Sequence, residues 1–200
     1  MREVELTIQV LDDLESVIKK IEVKGFKYVK EFYTRDYYMI HKSIDLMIDN
    51  YKILQKCILL RERINDNSKK QLVYKNKIYD IDGKILSQKK NEVNIESIEK
   101  AKEVLEAVDF ICLFKLEMHY IVYKKNETVL FIQEVIDPNG LYIEIEATEN
   151  ELLESDDEKV KEKLKKKLDE LELKTTGDYE VKKAIIALEK IKEKEDFNAS

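Results

Sequence analysis

Four glutamates stand in two pairs at opposite ends of the strand-forming region: Glu3 and Glu5 in REVELTIQV, and Glu144 and Glu146 in YIEIEA. A spacing of two puts both carboxylates of a pair on one face of an extended strand. Between them the same spacing carries mainly bases: Arg61 with Arg63, Lys75 with Lys77, Lys90 with Glu92, and Lys115 with Glu117 and His119. Like charges on one strand face lie about 7 Å apart and repel unless counter-charges or a bound ion sit between them. If such faces turn inward, the acid pairs can hold a hard divalent cation through oxygen, and the bases can hold a polyanion. A sheet with one solvated face writes the same alternation, so the residues alone leave both readings open. Grouping by sign, acids on the outer strands and bases on the middle ones, favours a metal-bound phosphate chain.

Several elements must position these charges. In REVELTIQV, Val4, Leu6, Ile8 and Val10 alternate with Glu3, Glu5, Thr7 and Gln9, the pattern of a strand with one buried face. DDLESVIKKI then places Leu14, Ile18 and Ile21 at helical spacing behind an Asp pair suited to capping, and Gly25 stops the helix. Further strands are predicted at TRDYYMIH, CILLRERI, KQLVYKNKI, KKNEVNIE, LFKLEMHYIVYK, TVLFIQEV and GLYIEIEAT, with a helix at SIEKAKEVLEAV opened by Ser97. IDLMIDNYKILQK reads equally as a short helix or a long excursion. In the tail, Val160, Leu164, Leu168 and Leu171 form one helical stripe, and Val181, Ile185, Leu188 and Ile191 form another. Eight strands joined mostly by short connections, with three or four helices, predict an α+β fold built on an antiparallel sheet. Closing it into a barrel would remove its edges. The expected organisation is one domain over 1–200, with a barrel core at 2–148 and C-terminal helices at 152–194. Those helices pack on the barrel, or serve a homodimer.

Composition narrows the function. With 44% hydrophobic residues the chain can bury a core, and 39% charged residues with a net charge of −6 argue against non-specific binding to nucleic acid or an anionic membrane. Four Gly and one Pro are too few for a flexible linker. The longest apolar run is short and the N-terminus opens into an acid-bearing strand, so the expectation is a cytoplasmic protein. Cys57 and Cys112 lie in apolar surroundings without a CxxC spacing and read as core residues.

From residue 2 to about 148, these motifs resemble, in order, the CYTH superfamily, the triphosphate tunnel metalloenzymes that include class IV adenylate cyclases and thiamine triphosphatases. The family's opening ExExK is similar to EVELT, its paired arginines to LLRER, its Y-K strand to VYK, its Arg-x-Glu strand to Lys90 and Glu92, and its closing E-x-E strand to GLYIEIE. The resemblance implies an eight-stranded antiparallel barrel enclosing a triphosphate tunnel. By position it implies Glu3, Glu5, Glu144 and Glu146 as ligands of Mg²⁺ or Mn²⁺, and Arg61, Arg63, Lys75, Lys90 and Lys115 as phosphate ligands. Glu92, Glu117, His119 and Gln133 are expected to face the tunnel. Three residues depart from the pattern: Thr7 where the family has Lys, Glu117 where it has a second base, and Gln133 where it has a carboxylate. Together they remove positive charge from a polyanion site. Glu117 has an alternative, pairing with Lys115 or a neighbouring base.

The implied activity is metal-dependent hydrolysis of inorganic or organic triphosphate. Two alternatives stay open: a class IV-type adenylate cyclase making cyclic AMP and pyrophosphate from ATP, and a non-catalytic module that binds a phosphorylated ligand or a partner.

Overall fold

The computed structural model describes residues 4–65, 68–79, 85–137, 139–154 and 156–199; the side chains of 76–79, 85–89, 154 and 194–199 are not included. The chain runs β1 (Glu5–Val10), α1 (Leu14–Val23), β2 (Lys27–His41), α2 (Asn50–Gln55), β3 (Ile58–Ile64), β4 (Lys70–Tyr79) and β5 (Ile85–Asn94). It continues through α3 (Ile98–Ala107), β6 (Phe110–Lys125), β7 (Thr128–Val135), β8 (Gly140–Glu146), α4 (Glu149–Glu154), α5 (Asp157–Asp169) and α6 (Lys183–Ala199). All eight expected strands are present. The open stretch before Cys57 resolves into the short helix α2, and β2 begins earlier than TRDYYMIH, at Lys27.

Local chemistry sets the helix ends. The Asp13 side chain accepts from the Ser16 N–H at 2.9 Å to open α1, and Ser97 accepts from the Lys100 N–H at 3.1 Å to open α3. After α1 the chain turns through Gly25 at φ +90°, a conformation that an L side chain resists.

The strands form one sheet in the order β1-β8-β7-β6-β2-β3-β4-β5. The β1–β8, β8–β7, β7–β6, β2–β3, β3–β4 and β4–β5 ladders are antiparallel. No ladder joins the outer members β1 and β5 among the described residues. The outward-pointing backbone groups of β1 are taken by the chain between α5 and α6. Thr7 N–H donates to Tyr179 O at 3.1 Å, Val181 N–H to Thr7 O at 3.0 Å, Thr176 N–H to Gln9 O at 3.2 Å and Leu11 N–H to Lys174 O at 2.8 Å. This strap covers the strand edge that would otherwise be open to pairing. It also explains why the second tail helix starts at Lys183, leaving Val181 outside it.

Two compact units divide the chain. In the first, 1–32 with 118–182, one sheet face packs on α1 and α5. Leu6, Ile8 and Val10 of β1, Ile143 and Ile145 of β8, Leu130 and Ile132 of β7, and Ile121 and Tyr123 of β6 are buried with Val17, Ile21, Val160, Leu164, Leu168 and Leu171. The predicted α5 stripe is thus the one that is buried. In the second unit, 33–117 with 183–200, α3 packs on Met39, Leu60, Tyr37, Ile58 and Leu72 through Ile98 and Leu105. There α6 meets α2, where Lys192 Nζ donates to Asn50 Oδ1 at 2.7 Å.

Candidate functional site

In the first unit the face opposite the α1–α5 core carries Glu5 and Thr7 on β1 and Tyr142, Glu144 and Glu146 on β8. The antiparallel register sets Glu5 beside Glu146 and Thr7 beside Glu144. Glu5, Glu144 and Glu146 each offer a carboxylate oxygen within 4.8 Å of the others. Two of the three are exposed and Glu144 is half-buried. Glu3 lies outside the described residues. Three carboxylates at this separation form an all-oxygen donor set, which suits a hard divalent cation such as Mg²⁺ or Mn²⁺ rather than a soft metal.

The floor beside the acids is protein. Gln133 on β7 is fully buried and pairs in register with Tyr142, itself almost inaccessible. Burial pushes the Tyr142 phenol up from its usual range. Gly140, at the start of β8, leaves room for this ring, since a Cβ there would lie 2.7 Å from the Tyr142 Oη. Thr7 is 7% exposed. A lysine at that position would have to bring its charge into the space that Thr7 fills.

In the second unit the face opposite α3 is defined by register. Thr34 and Asp36 of β2 stand beside Arg63 and Arg61 of β3, Arg61 stands beside Gln71 of β4, and Lys75 of β4 stands beside Lys90 of β5. Arg61, Arg63, Lys75, Lys90 and Glu92 therefore share a face, spacing joining them within β3 and β5 and register joining the strands. The side chain of Lys77 lies outside the described ones. Asp36, which the sequence reading does not single out, grips Arg61 by two bonds: Nε donates to Oδ1 at 2.7 Å and Nη2 to Oδ2 at 2.5 Å. Lys90 pairs with Glu92 at 2.8 Å, and that hydrogen bond is the largest cause holding the Glu92 carboxyl below the usual range.

Lys115, Glu117 and His119 are placed elsewhere. Glu117 accepts from Arg35 Nε at 2.8 Å and from Lys115 Nζ at 3.1 Å. Arg35 stands beside Glu62, which lies 3.8 Å from Lys70. By alternation these residues are on the α3 side of the sheet, opposite Arg61 and Arg63. The hydrogen bond from Lys115, then that from Arg35, lowers the Glu117 carboxyl. His119 follows the alternation of Ile121 and Tyr123, on the α1–α5 side, with Nδ1 3.0 Å from Glu134 and Nε2 3.3 Å from Glu31. The face carrying Glu5, Glu144 and Gln133 is the other one. Strand parity alone does not reveal this, because it fixes which residues of β6 share a face but not which face that is. Phe110 and Cys112 pack with the α3 cluster, whereas Phe114 stacks on Tyr38, the neighbour of Asp36 on the opposite face, at 4.3 Å between centroids. The alternation of β6 thus changes phase between Cys112 and Phe114, before Lys115.

Comparison with solved structures adds the fold. PH1819 from Pyrococcus horikoshii aligns with a TM-score of 0.69 at 24% identity, covering 94% of this chain and 99% of that one. An adenylate cyclase candidate from Vibrio parahaemolyticus aligns with a TM-score of 0.59 at 16% identity, over 92% and 97% of the two chains. HpAC1 from Hippeastrum, an adenylyl cyclase candidate with a dominant triphosphatase activity, aligns with a TM-score of 0.60 at 17% identity, over 91% and 93%. The chain shares its fold with these structures. No protein-family model and no curated protein matches the chain. What it shares with these neighbours at such identities is architecture, and the chemistry has to be argued from its own residues. Among the described residues no helix is long and apolar enough to cross a membrane.

Proposed function

We propose that the protein is a divalent-metal-dependent enzyme that binds a triphosphate-containing small molecule and hydrolyses it, the substrate being inorganic triphosphate or an organic triphosphate. The observation that carries this reading is the convergence of Glu5, Glu144 and Glu146 from strands at the two ends of the CYTH-like motif series. In this reading these three carboxylates, with Glu3 added by resemblance, hold Mg²⁺ or Mn²⁺. When bound, the ion would polarise phosphate oxygens and offset the charge of the reacting phosphoryl group. Arg63, Lys75, Lys90 and Arg61 bind and orient the phosphate chain. The names of two structural neighbours, a cyclase candidate and one with triphosphatase activity, support the substrate class.

Phosphate release is measured with Mg²⁺ or Mn²⁺ across inorganic triphosphate, ATP and thiamine triphosphate, with Glu144→Gln as the control. Metal-dependent release lost in the variant is expected. No turnover on any substrate with either ion overturns the reading, and cyclic AMP with pyrophosphate from ATP assigns the cyclase reaction instead.

A second reading, binding without turnover, is favoured by one feature of the basic face: Asp36 and Glu92 each offset a base there. Tight triphosphate binding by calorimetry with no product would establish it.

A further inference from the structure

The Asp36–Arg61 pair has no place in the motif series that led to the basic face. Asp36 is 1% exposed, whereas the Arg61 side chain is 22% exposed. The carboxylate is therefore sealed in the sheet while part of the Arg61 side chain reaches its surface. The two residues are register partners on β2 and β3, and both oxygens of Asp36 are engaged, one by Nε and one by Nη2. A guanidinium is planar with two hydrogen-bonding edges, so a carboxylate on the Nε edge fixes the plane in which the other edge meets an anion. Gln71, buried at 5% exposure, is Arg61's register partner on the other flank, in β4. Gln71 also contributes a hydrogen bond to Glu92, whose main partner is Lys90. Polar residues thus run across the face from Asp36 through Arg61 and Gln71 to Glu92 and Lys90.

A buried ion pair adds little stability over apolar residues of the same volume, because desolvating two charges offsets their attraction. Apolar packing is already supplied on the other face by Met39, Leu60, Tyr37 and Leu72. What the pair adds is orientation. We infer that Asp36 is a positioning residue for phosphate binding, its two bonds to Nε and Nη2 fixing the plane in which the Arg61 guanidinium meets the polyanion. This rests on the reading that Arg61 contacts phosphate, and it deepens that reading by assigning a role to an acid on a basic face. Charge counting alone gives the opposite sign, since removing an acid beside a polyanion site should strengthen binding.

Calorimetric titration of the full chain with inorganic triphosphate, with and without Mn²⁺, separates the two. The arms are wild type, Asp36→Asn, Arg61→Gln and the double variant. Asp36→Asn is expected to weaken binding about tenfold, and to cost nothing further once Arg61 is Gln. Unchanged or tighter binding by Asp36→Asn overturns the inference, as does an equal loss in both backgrounds, which marks a merely structural role. Absence of binding by the wild type in every arm overturns the proposed function and this inference with it. If Asp36→Asn does not fold, the wild type still decides by ¹⁵N NMR of Arg61. Its Nε–H resonance should be slow to exchange and stay in place when triphosphate is added, while the Nη resonances move. A fast-exchanging Nε–H, or one displaced by triphosphate, overturns the assignment.

Discussion

The acidic and basic faces solve opposite electrostatic problems. On β1 and β8, three like charges gather within 4.8 Å of one another. On β2 to β5, bases alternate with acids: Asp36 with Arg61, and Glu92 with Lys90. Carboxylates that converge repel, and a divalent cation is the natural means of relieving that repulsion. Bases interleaved with acids are held in place before any ligand arrives, at the expense of net positive charge. In the proposed reading the first arrangement holds an ion, and the second trades strength of attraction for fixed geometry.

The largest expected effect breaks the acidic side. Glu144→Gln or Glu5→Gln should lower metal-dependent phosphate release by at least about 100-fold while leaving the far-UV circular dichroism unchanged, and the Mn²⁺ affinity measured by electron paramagnetic resonance should fall in parallel. On the basic side, Arg61→Ala leaves Asp36 buried without its cation, so urea unfolding should show a loss of about 3 kcal/mol. Arg63→Ala, whose register neighbour on β2 is Thr34, should cost less. If the two variants are equally stable, a carboxylate neighbour on β2 (Asp36) confers no more than a hydroxyl neighbour (Thr34) does.

Smaller effects sharpen the comparison. Val181→Pro removes the N–H that bonds Thr7 O, and it should cost about 1–3 kcal/mol in thermal or urea unfolding. Because Thr7 is bonded to the strap and stands two residues from Glu5 on the same face of β1, Mn²⁺ affinity should weaken as well, while triphosphate binding in the absence of metal should hold. The smallest effect concerns pH. Glu117 and Glu92 have carboxyls lowered by Lys115 and Lys90 respectively. Their contribution to stability is therefore present above the unfolded carboxylate value of about 4.3 and is lost as pH falls through the lower folded values. Both groups are partly exposed, so screening keeps each to about 1 kcal/mol or less. Glu117→Gln should flatten the acid limb of a stability-against-pH curve between about pH 5 and pH 3, and an unchanged limb would remove Glu117 from that account.

Much of the candidate site is legible in strand alternation. A period of two puts Glu144 with Glu146 and Arg61 with Arg63 on one face of their strands, whereas ladder register joins Glu5 to the acids and Lys75 and Lys90 to the bases. Asp36 is invisible to the same reasoning, since a single acid in TRDYYMIH has no partner at a spacing of two. Lys115, Glu117 and His119 share parity as expected, yet their face is decided by the phase change after Cys112 and by the Arg35 and Glu134 partners. The pairing of Glu117 with Lys115 and a neighbouring base is present, on the α3 side of the sheet.

By itself the sequence determined eight strands, which nearby residues of a strand share a face, the caps at Asp13 and Ser97 and the buried stripe of α5, because each follows from the spacing of neighbouring residues. Only the tertiary structure decided that the first and last strands lie side by side. It also decided that the strap from Lys174 to Val181 covers the outer edge of β1, and that Asp36 meets Arg61 across two strands. Those contacts join residues far apart in the chain. They depend on ladder register and strand order, which local periodicity does not encode.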